Sequence, residues 1–226
     1  MVFNFTKDHQ FTSEIVLKNE KLETVDQTKL LGVIITNDLK WQENTKYVVK
    51  NANKKMRMLH KFSKFTKNKS HLMHVYKSQV RGSLEYCSTV WHSSLTQSEC
   101  NDIERVQKAA MKVIMGIRYQ GYEEALKFMK IDSLKERRIK MALRFAKKST
   151  RQDNFSSFFP LTQNDHLMNT RNPEKYVVKI AKTERMRRSA VPFLQRLLNE
   201  DNVKQRKDLS SLLQVNNGVL VNAPIT

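Results

Sequence analysis

Lysine and arginine side chains recur every three or four residues from Trp41 to about residue 64. Five of them are candidate contacts for nucleic-acid phosphates: Lys46, Lys50, Lys54, Arg57 and Lys61. This spacing places side chains on one face of an α-helix. A row of ammonium and guanidinium groups binds phosphate oxygens and releases counterions. The pattern therefore predicts binding of a polyanion, with RNA and/or DNA as the partner.

The distribution of charge favours the same prediction. The chain has 41 Lys+Arg against 22 Asp+Glu, a net charge of +19. Residues 1–40 carry five basic and six acidic groups, whereas residues 41–83 carry eleven basic groups and one acidic group. A single basic helix face is also compatible with a merely solvated surface, but the shortage of acidic residues in 41–83 favours a polyanionic partner.

The acidic residues are not arranged for metal-dependent nucleotidyl transfer. That chemistry needs acidic side chains that hold two divalent ions roughly 4 Å apart. Adjacent acids occur at "EE" (123–124) and "ED" (200–201), beside expected helix ends and among polar residues. We interpret both pairs as solvated and predict no catalytic residue, no metal, no cofactor and no small-molecule substrate for this chain.

The cysteines and histidines do not predict a zinc site either. His71 and His74 are three residues apart, and His92 lies between Cys87 and Cys100. Structural zinc sites use closely paired ligands, and neither set supplies them. Two cysteines in 226 residues fit a reducing, intracellular compartment, of which the nucleus is one candidate. No secretory signal and no apolar run of about 18 residues is present, so a membrane is not an expected partner.

Helical periodicity begins at Trp41. Apolar residues at helical spacing oppose the cationic positions, which predicts one helix with a buried face and a charged face: Val48, Ala52, Met56 and Leu59. The segment "TKNKS" (66–70) ends it, and Ser70 is the predicted cap of a second helix through residues 71–93. Gly82 inside that helix predicts close helix packing.

Two capping boxes predict further helices. Thr96 and Glu99 begin one near 97–115 that ends at Gly116, and Ser133 begins one near 134–149. In the latter, apolar positions stand beside Arg137, Arg138 and other basic residues. The expected fold is mainly α, with a short N-terminal antiparallel β-hairpin or strands followed by a helical bundle.

Four segments are predicted along the chain. Residues 1–40 form strands and a hairpin, 41–150 a basic helical domain, 151–207 a loop plus a C-terminal helical segment near 190–200, and 208–226 a disordered tail. In the first segment "KLLGVII" is expected to be an apolar strand, with Gly32 at a bulge or a tight hairpin edge.

Several motifs, in order, resemble a known family. The motifs are "TKLLGVIITNDLKW", "YVVKNANKKMRML", "LEYCSTVW" and "IERVQKAAMKVIMG", followed by "NTR" (169–171) and "RRSAVPFLQRLLN" (187–199). Together they resemble the C-terminal part of the reverse transcriptase of non-LTR retrotransposons of the jockey kind. Each motif is short, and the order and spacing over roughly residues 1–200 carry the resemblance.

The resemblance implies roles for two parts of the chain. "MVFNF" resembles the end of the polymerase palm, and Leu30, Leu31, Gly32 and Val33 resemble the primer-grip hairpin. The helices from Trp41 onward resemble the thumb, which follows template and primer phosphates. The Tyr-Ala-Asp-Asp type segment and the fingers do not occur in this sequence. We therefore expect a C-terminal fragment that is inactive by itself, with the missing palm as a candidate partner and Mg²⁺ required only by a full-length polymerase.

Two other functions fit the same composition. An independent helical RNA- or DNA-binding protein would show the same basic faces. A helical protein-interaction scaffold would use the apolar stripes and the exposed strands instead. Binding to nucleic acid at 50 mM salt distinguishes the first two hypotheses from the third.

Overall fold

The computed structural model describes residues 15–161, 176–178 and 180–219, with side chains through Lys204. "MVFNF", "NTR" and the end of the predicted tail (220–226) lie outside these ranges. The chain divides into two compact units, Met1–Ile139 and Lys140–Thr226. The fold is mainly helical with short antiparallel strand pairs near the N-terminus, as the sequence predicted.

Two small hairpins precede the first helix. Strands β1 (Val16–Leu17) and β2 (Glu20–Lys21) pair across a turn at Lys18 and Asn19. Strands β3 (Gln27–Leu30) and β4 (Val33–Thr36) pair across Leu31 and Gly32. The apolar strand expected over "KLLGVII" is interrupted at Leu31 and Gly32, and the tight hairpin edge expected at Gly32 is present. Both turn residues have positive φ, 47° and 85°, as a two-residue hairpin of type I′ requires.

Helix α1 (Gln42–Phe65) is the long predicted helix, and it packs against α5 (Gln97–Met115). Between them the chain forms α2 (Lys69–Val75), a π-helical turn (Tyr76–Arg81), α3 (Gly82–Glu85), α4 (Ser88–Trp91) and a 3₁₀ turn (His92–Ser94). A second 3₁₀ turn (Gly116–Arg118) and α6 (Tyr122–Met129) follow α5. Side chains from these helices and Val33 of β4 form one hydrophobic core.

Three details of this region differ from the sequence predictions. The cap of α2 is Asn68, whose Oδ1 accepts from the backbone N–H of Ser70 and His71, so Ser70 is not the cap. The predicted single helix over 71–93 is interrupted, because Cys87 adopts φ 51°. Gly82 does not mark close packing, since a methyl group there would meet no atom within 4 Å.

A buried polar network connects the middle of α5 to neighbouring segments. Gln107 is fully buried; it accepts from the Tyr76 hydroxyl and donates to the Tyr122 hydroxyl at 2.9 Å and to the Asp132 carbonyl at 3.1 Å. The Tyr122 hydroxyl donates to Glu104. Burial has the largest effect on the pKa of Tyr122 and raises it, and the neighbouring Glu104 raises it further. The hydroxyl therefore stays protonated and remains a hydrogen-bond donor.

Helix α7 (Leu134–Ser149) includes the division between the two units, which falls between Ile139 and Lys140. The second unit also contains α8 (Asp153–Ser156), α9 (Glu184–Arg188) and α10 (Ala190–Val219). Its core contains Ala142, Ala146, Phe159, Tyr176, Leu194 and Leu198. Helix α10 continues to Val219, into the segment 208–226 that we had predicted to be partly disordered.

Candidate nucleic-acid interface

The two faces of α1 lie where the sequence pattern predicted. Val48, Ala52, Met56 and Leu59 are buried, at 0–7% exposure. The five predicted phosphate contacts are all exposed, and at 100° per residue they fall within an arc of about 80° on the opposite side of the helix. We call Lys46, Lys50, Lys54, Arg57 and Lys61 the cationic face of α1. It extends for about 22 Å along the helix axis, given a rise of 1.5 Å per residue.

The cationic face has few carboxylate partners. Lys46 pairs with Glu43, its Nζ lying 2.7 Å from Oε1. Lys50, Lys54, Arg57 and Lys61 form no ion pair with any residue that the structure describes. Four neighbouring positive charges therefore repel one another at close range, and a polyanion bound along the helix relieves this repulsion.

The hairpin β3–β4 is fixed to the first turns of α1 by polar contacts. The Ile34 backbone N–H donates to Oδ1 of Asn44, a buried residue of α1, at 3.1 Å. Lys29 Nζ donates to the Tyr47 hydroxyl at 2.7 Å and lies 4.6 Å from the centre of its ring. This hydrogen bond is the main cause of a lowered pKa of Tyr47, and Lys54 contributes through its charge. Lys29 therefore extends the cationic face of α1 onto the hairpin.

The predicted primer-grip residues are divided between surface and core. Leu30 and Leu31 are 58% and 83% exposed, whereas Val33 is buried and available to no ligand. Gly32 allows a close approach, but the neighbour is Tyr86, whose ring would lie 3.2 Å from an added Cβ. The Tyr86 hydroxyl donates to the Leu31 carbonyl at 2.8 Å. Only the tip of the turn, at Leu30 and Leu31, is exposed for contact.

The structure shows site residues that the sequence patterns missed. Lys29, Asn44 and Tyr86 fix the hairpin, and their partners are 10 to 55 residues away in sequence. Their polar side chains follow no periodic pattern, so no local signal identified them. Phe62 and Phe65 stand among the basic residues of this segment in the sequence, and they are 46% and 89% exposed at the C-terminal end of α1. They offer flat apolar surfaces beside Lys61 on which unpaired bases can stack.

No group of three or more His, Cys, Asp or Glu side chains among the described residues is arranged to hold a metal ion. None of the helices described has the length and apolarity needed to cross a membrane. The chain matches no protein-family model, no curated protein and no solved structure.

Proposed function

We propose that the first unit binds the phosphate backbone of nucleic acid through the cationic face of α1, as a thumb-like module. The observation that carries this proposal is the exposed row of Lys50, Lys54, Arg57 and Lys61, which no carboxylate of the described residues neutralises. Resemblance to the end of a non-LTR reverse transcriptase is the second support, and it suggests a template and primer duplex as the ligand.

The geometry of α1 suits a backbone contact and not base recognition. Its cations recur about once per turn, every 4.5 to 6 Å or so along the axis, so several can meet successive phosphates at once. Three of the four unpaired cations are lysines, which act as flexible point charges on long stems. Phosphate contacts position a protein on its ligand and carry no sequence information. We therefore expect binding that depends strongly on salt and little on sequence.

The hairpin makes the two ends of the cationic face of α1 different from each other. Lys29 joins the hairpin to the N-terminal half of the cationic face, and Leu30 and Leu31 project from the turn. Phe62 and Phe65 lie at the other end of α1. A bound strand that follows the helix would have one end near the apolar turn and the other end near the exposed phenylalanines. The position of the first end is the one that the resemblance to a primer grip implies.

The proposal is tested by fluorescence anisotropy with the full chain. The probe is a labelled RNA–DNA hybrid, and a quadruple substitution removes the unpaired charges: Lys50→Gln, Lys54→Gln, Arg57→Gln and Lys61→Gln. A matched control removes three lysines and one arginine from exposed positions elsewhere in the unit: Arg118→Gln, Lys127→Gln, Lys130→Gln and Lys135→Gln. Both variants change the net charge by the same amount, so a difference between them reports location.

The expected size of the effect follows from counterion release. On duplex DNA each phosphate contact contributes about 0.9 to the slope of log affinity against log salt, so four lost contacts lower the slope by about 3.6. Between 50 and 200 mM salt the natural chain should then lose about 150-fold more affinity than the quadruple variant. Equal slopes for the quadruple variant and the control would refute the assignment to α1. Absence of any binding at 50 mM would refute nucleic-acid binding and favour a protein-interaction scaffold.

A further inference from the structure

Basic residues are concentrated where α9 meets α10. Between Ile180 and Arg196 the chain has six charged residues, and five of them are basic. They belong to the second unit, so none is part of the cationic face of α1. Two arginines of this segment, Arg187 and Arg196, are held in defined positions by hydrogen bonds.

Arg187 is oriented by Glu184, three residues before it in α9. Its Nε and Nη2 donate to Oε2 and Oε1 of Glu184, each at 2.6 Å. Thr183 caps this short helix by accepting from the Met186 backbone N–H at 3.2 Å. The charged side chains of Arg187 and Glu184 are 56% and 60% exposed, so the contact is open to a ligand. It engages two of the five N–H donors of the guanidinium, and the others have no partner among the described residues.

Arg196, in the second turn of α10, lies against the same turn of the chain. Its Nη2 donates to the backbone carbonyl of Arg187. The residue is half-buried, and it forms no ion pair with any residue that the structure describes. Burial first, and then the charge of Arg187, lower the pKa of this guanidinium. The two arginines therefore carry positive charge at one surface, and each is fixed by a contact that leaves most of its donors unused.

The nearby carboxylates do not balance this charge. Lys182 and Arg185 are also exposed, and neither forms an ion pair within the described part of the chain. Glu184 and Glu200 favour the charged form of Arg196, but their effect is smaller than the effects that lower its pKa. Positive charge is thus in excess at this surface, and a bound anion would reduce the repulsion.

We propose that Arg187 and Arg196 form a phosphate-binding site of the second unit, which holds the backbone of the nucleic acid that α1 binds. The site itself is independent of α1, whereas the identity of its ligand rests on the proposed function. A guanidinium fork matches two phosphate oxygens. The Nε and Nη2 edge of Arg187, which binds the two carboxylate oxygens of Glu184, can bind phosphate in the same way. A polymer gains further affinity, because binding to one unit raises its effective concentration at the other.

The first test is fluorescence anisotropy with the labelled RNA–DNA hybrid and the full chain that carries the quadruple substitution of α1. In that background Arg187→Gln with Arg196→Gln should lower the slope of log affinity against log salt by about 1.8, for two lost contacts. Without this double substitution the affinity should therefore fall about 12-fold more between 50 and 200 mM salt.

The matched control is Arg144→Gln with Arg151→Gln, which removes two exposed arginines from the same unit. Equal slopes for the two double variants overturn the proposal, as does a lack of binding by the quadruple variant at 50 mM salt.

Glu184→Gln tests the same site by a gain of binding and leaves both arginines in place. Loss of the carboxylate frees the bidentate edge of Arg187, so the affinity for the hybrid at 50 mM salt should rise about two- to fivefold. Glu123→Gln is the matched control, because it removes one exposed carboxylate from the first unit. An increase no greater than that of the control overturns the proposal. Circular dichroism checks folding, and if the double arginine variant does not fold, Glu184→Gln decides.

The outcomes separate this site from the α1 interface. Binding that survives the quadruple substitution of α1 but requires Arg187 and Arg196 refutes the proposed function of α1 and supports the second site. Binding that depends on α1 and not on these arginines overturns the second site alone. Sedimentation with vesicles of phosphatidylcholine and phosphatidylserine tests the other source of phosphate. Vesicle binding that requires the two arginines, without binding of the hybrid, overturns nucleic acid as the ligand.

Discussion

Replacing Glu85 by Gln should destabilise the first unit much more than the same change at an exposed ion pair. Glu85 is 9% exposed and makes a bidentate contact with Arg137, at 2.6 and 3.1 Å. The side chains of Arg137 and Arg81 are 29% and 17% exposed. Glutamine keeps the shape of the side chain but removes the negative charge, so two largely buried arginines would lose their counter-ion.

The magnitude follows from this burial. Removing one partner of a buried pair costs about 3 to 5 kcal/mol. Because Arg137 retains some contact with water, we expect a smaller loss of stability than this, about 2 to 3 kcal/mol. The control is Glu43→Gln, which breaks the pair with Lys46, whose side chains are 44% and 61% exposed. Exposed pairs of this kind contribute about 1 kcal/mol or less.

Urea unfolding followed by tryptophan fluorescence measures both variants. The two tryptophans of the chain, Trp41 and Trp91, lie in the first unit, so the signal reports this unit alone. With a slope near 2 kcal/mol per molar urea, Glu85→Gln should lower the midpoint by about 1 to 1.5 M and Glu43→Gln by less than about 0.5 M. Equal shifts for the two variants would show that burial of the Glu85 cluster does not determine its contribution.

Two other predictions concern the turn and the buried histidine. Gly32→Ala should destabilise the first unit by about 1 kcal/mol or more, because the φ of Gly32 is 85° and Tyr86 crowds an added Cβ. Gly82→Ala should stabilise the unit by about 0.5 to 1 kcal/mol, because Gly82 has a helical φ and open space around it. Urea unfolding should therefore show midpoint shifts of opposite sign for the two variants. His92 has a folded-state pKa near 4 against about 6.5 when unfolded, so the unfolded chain takes up the proton first as the pH falls. Stability should therefore be full above pH 6.5 and decrease by about 3 kcal/mol on going down to pH 4, and His92→Asn should remove most of this slope, which unfolding at several pH values measures.

The sequence by itself determined the elements that depend on local patterns. The opposed faces of α1 follow from residues three or four positions apart, and the helix therefore formed where predicted. The start of α5 at the Thr96 and Glu99 box follows from hydrogen bonds between residues three apart. Gly116 ends that helix with a φ of 57°, as predicted, but its ψ of −130° lies outside the left-handed helical region expected of a C-cap glycine. The mainly helical fold was predictable because these signals are local and repeated.

The tertiary structure decided which polar side chains become part of the interior. Arg138 and Arg137 are adjacent and alike in sequence, yet one is fully buried beside His92 and the other pairs with Glu85, 52 residues away. The Tyr86 hydroxyl donates to the Leu31 carbonyl across 55 residues, and the Tyr86 ring therefore occupies the space beside Gly32. No periodic pattern encodes such pairs. They form only when packing of the apolar faces brings distant segments together, and the cost of burying an unpaired polar group then selects their partners.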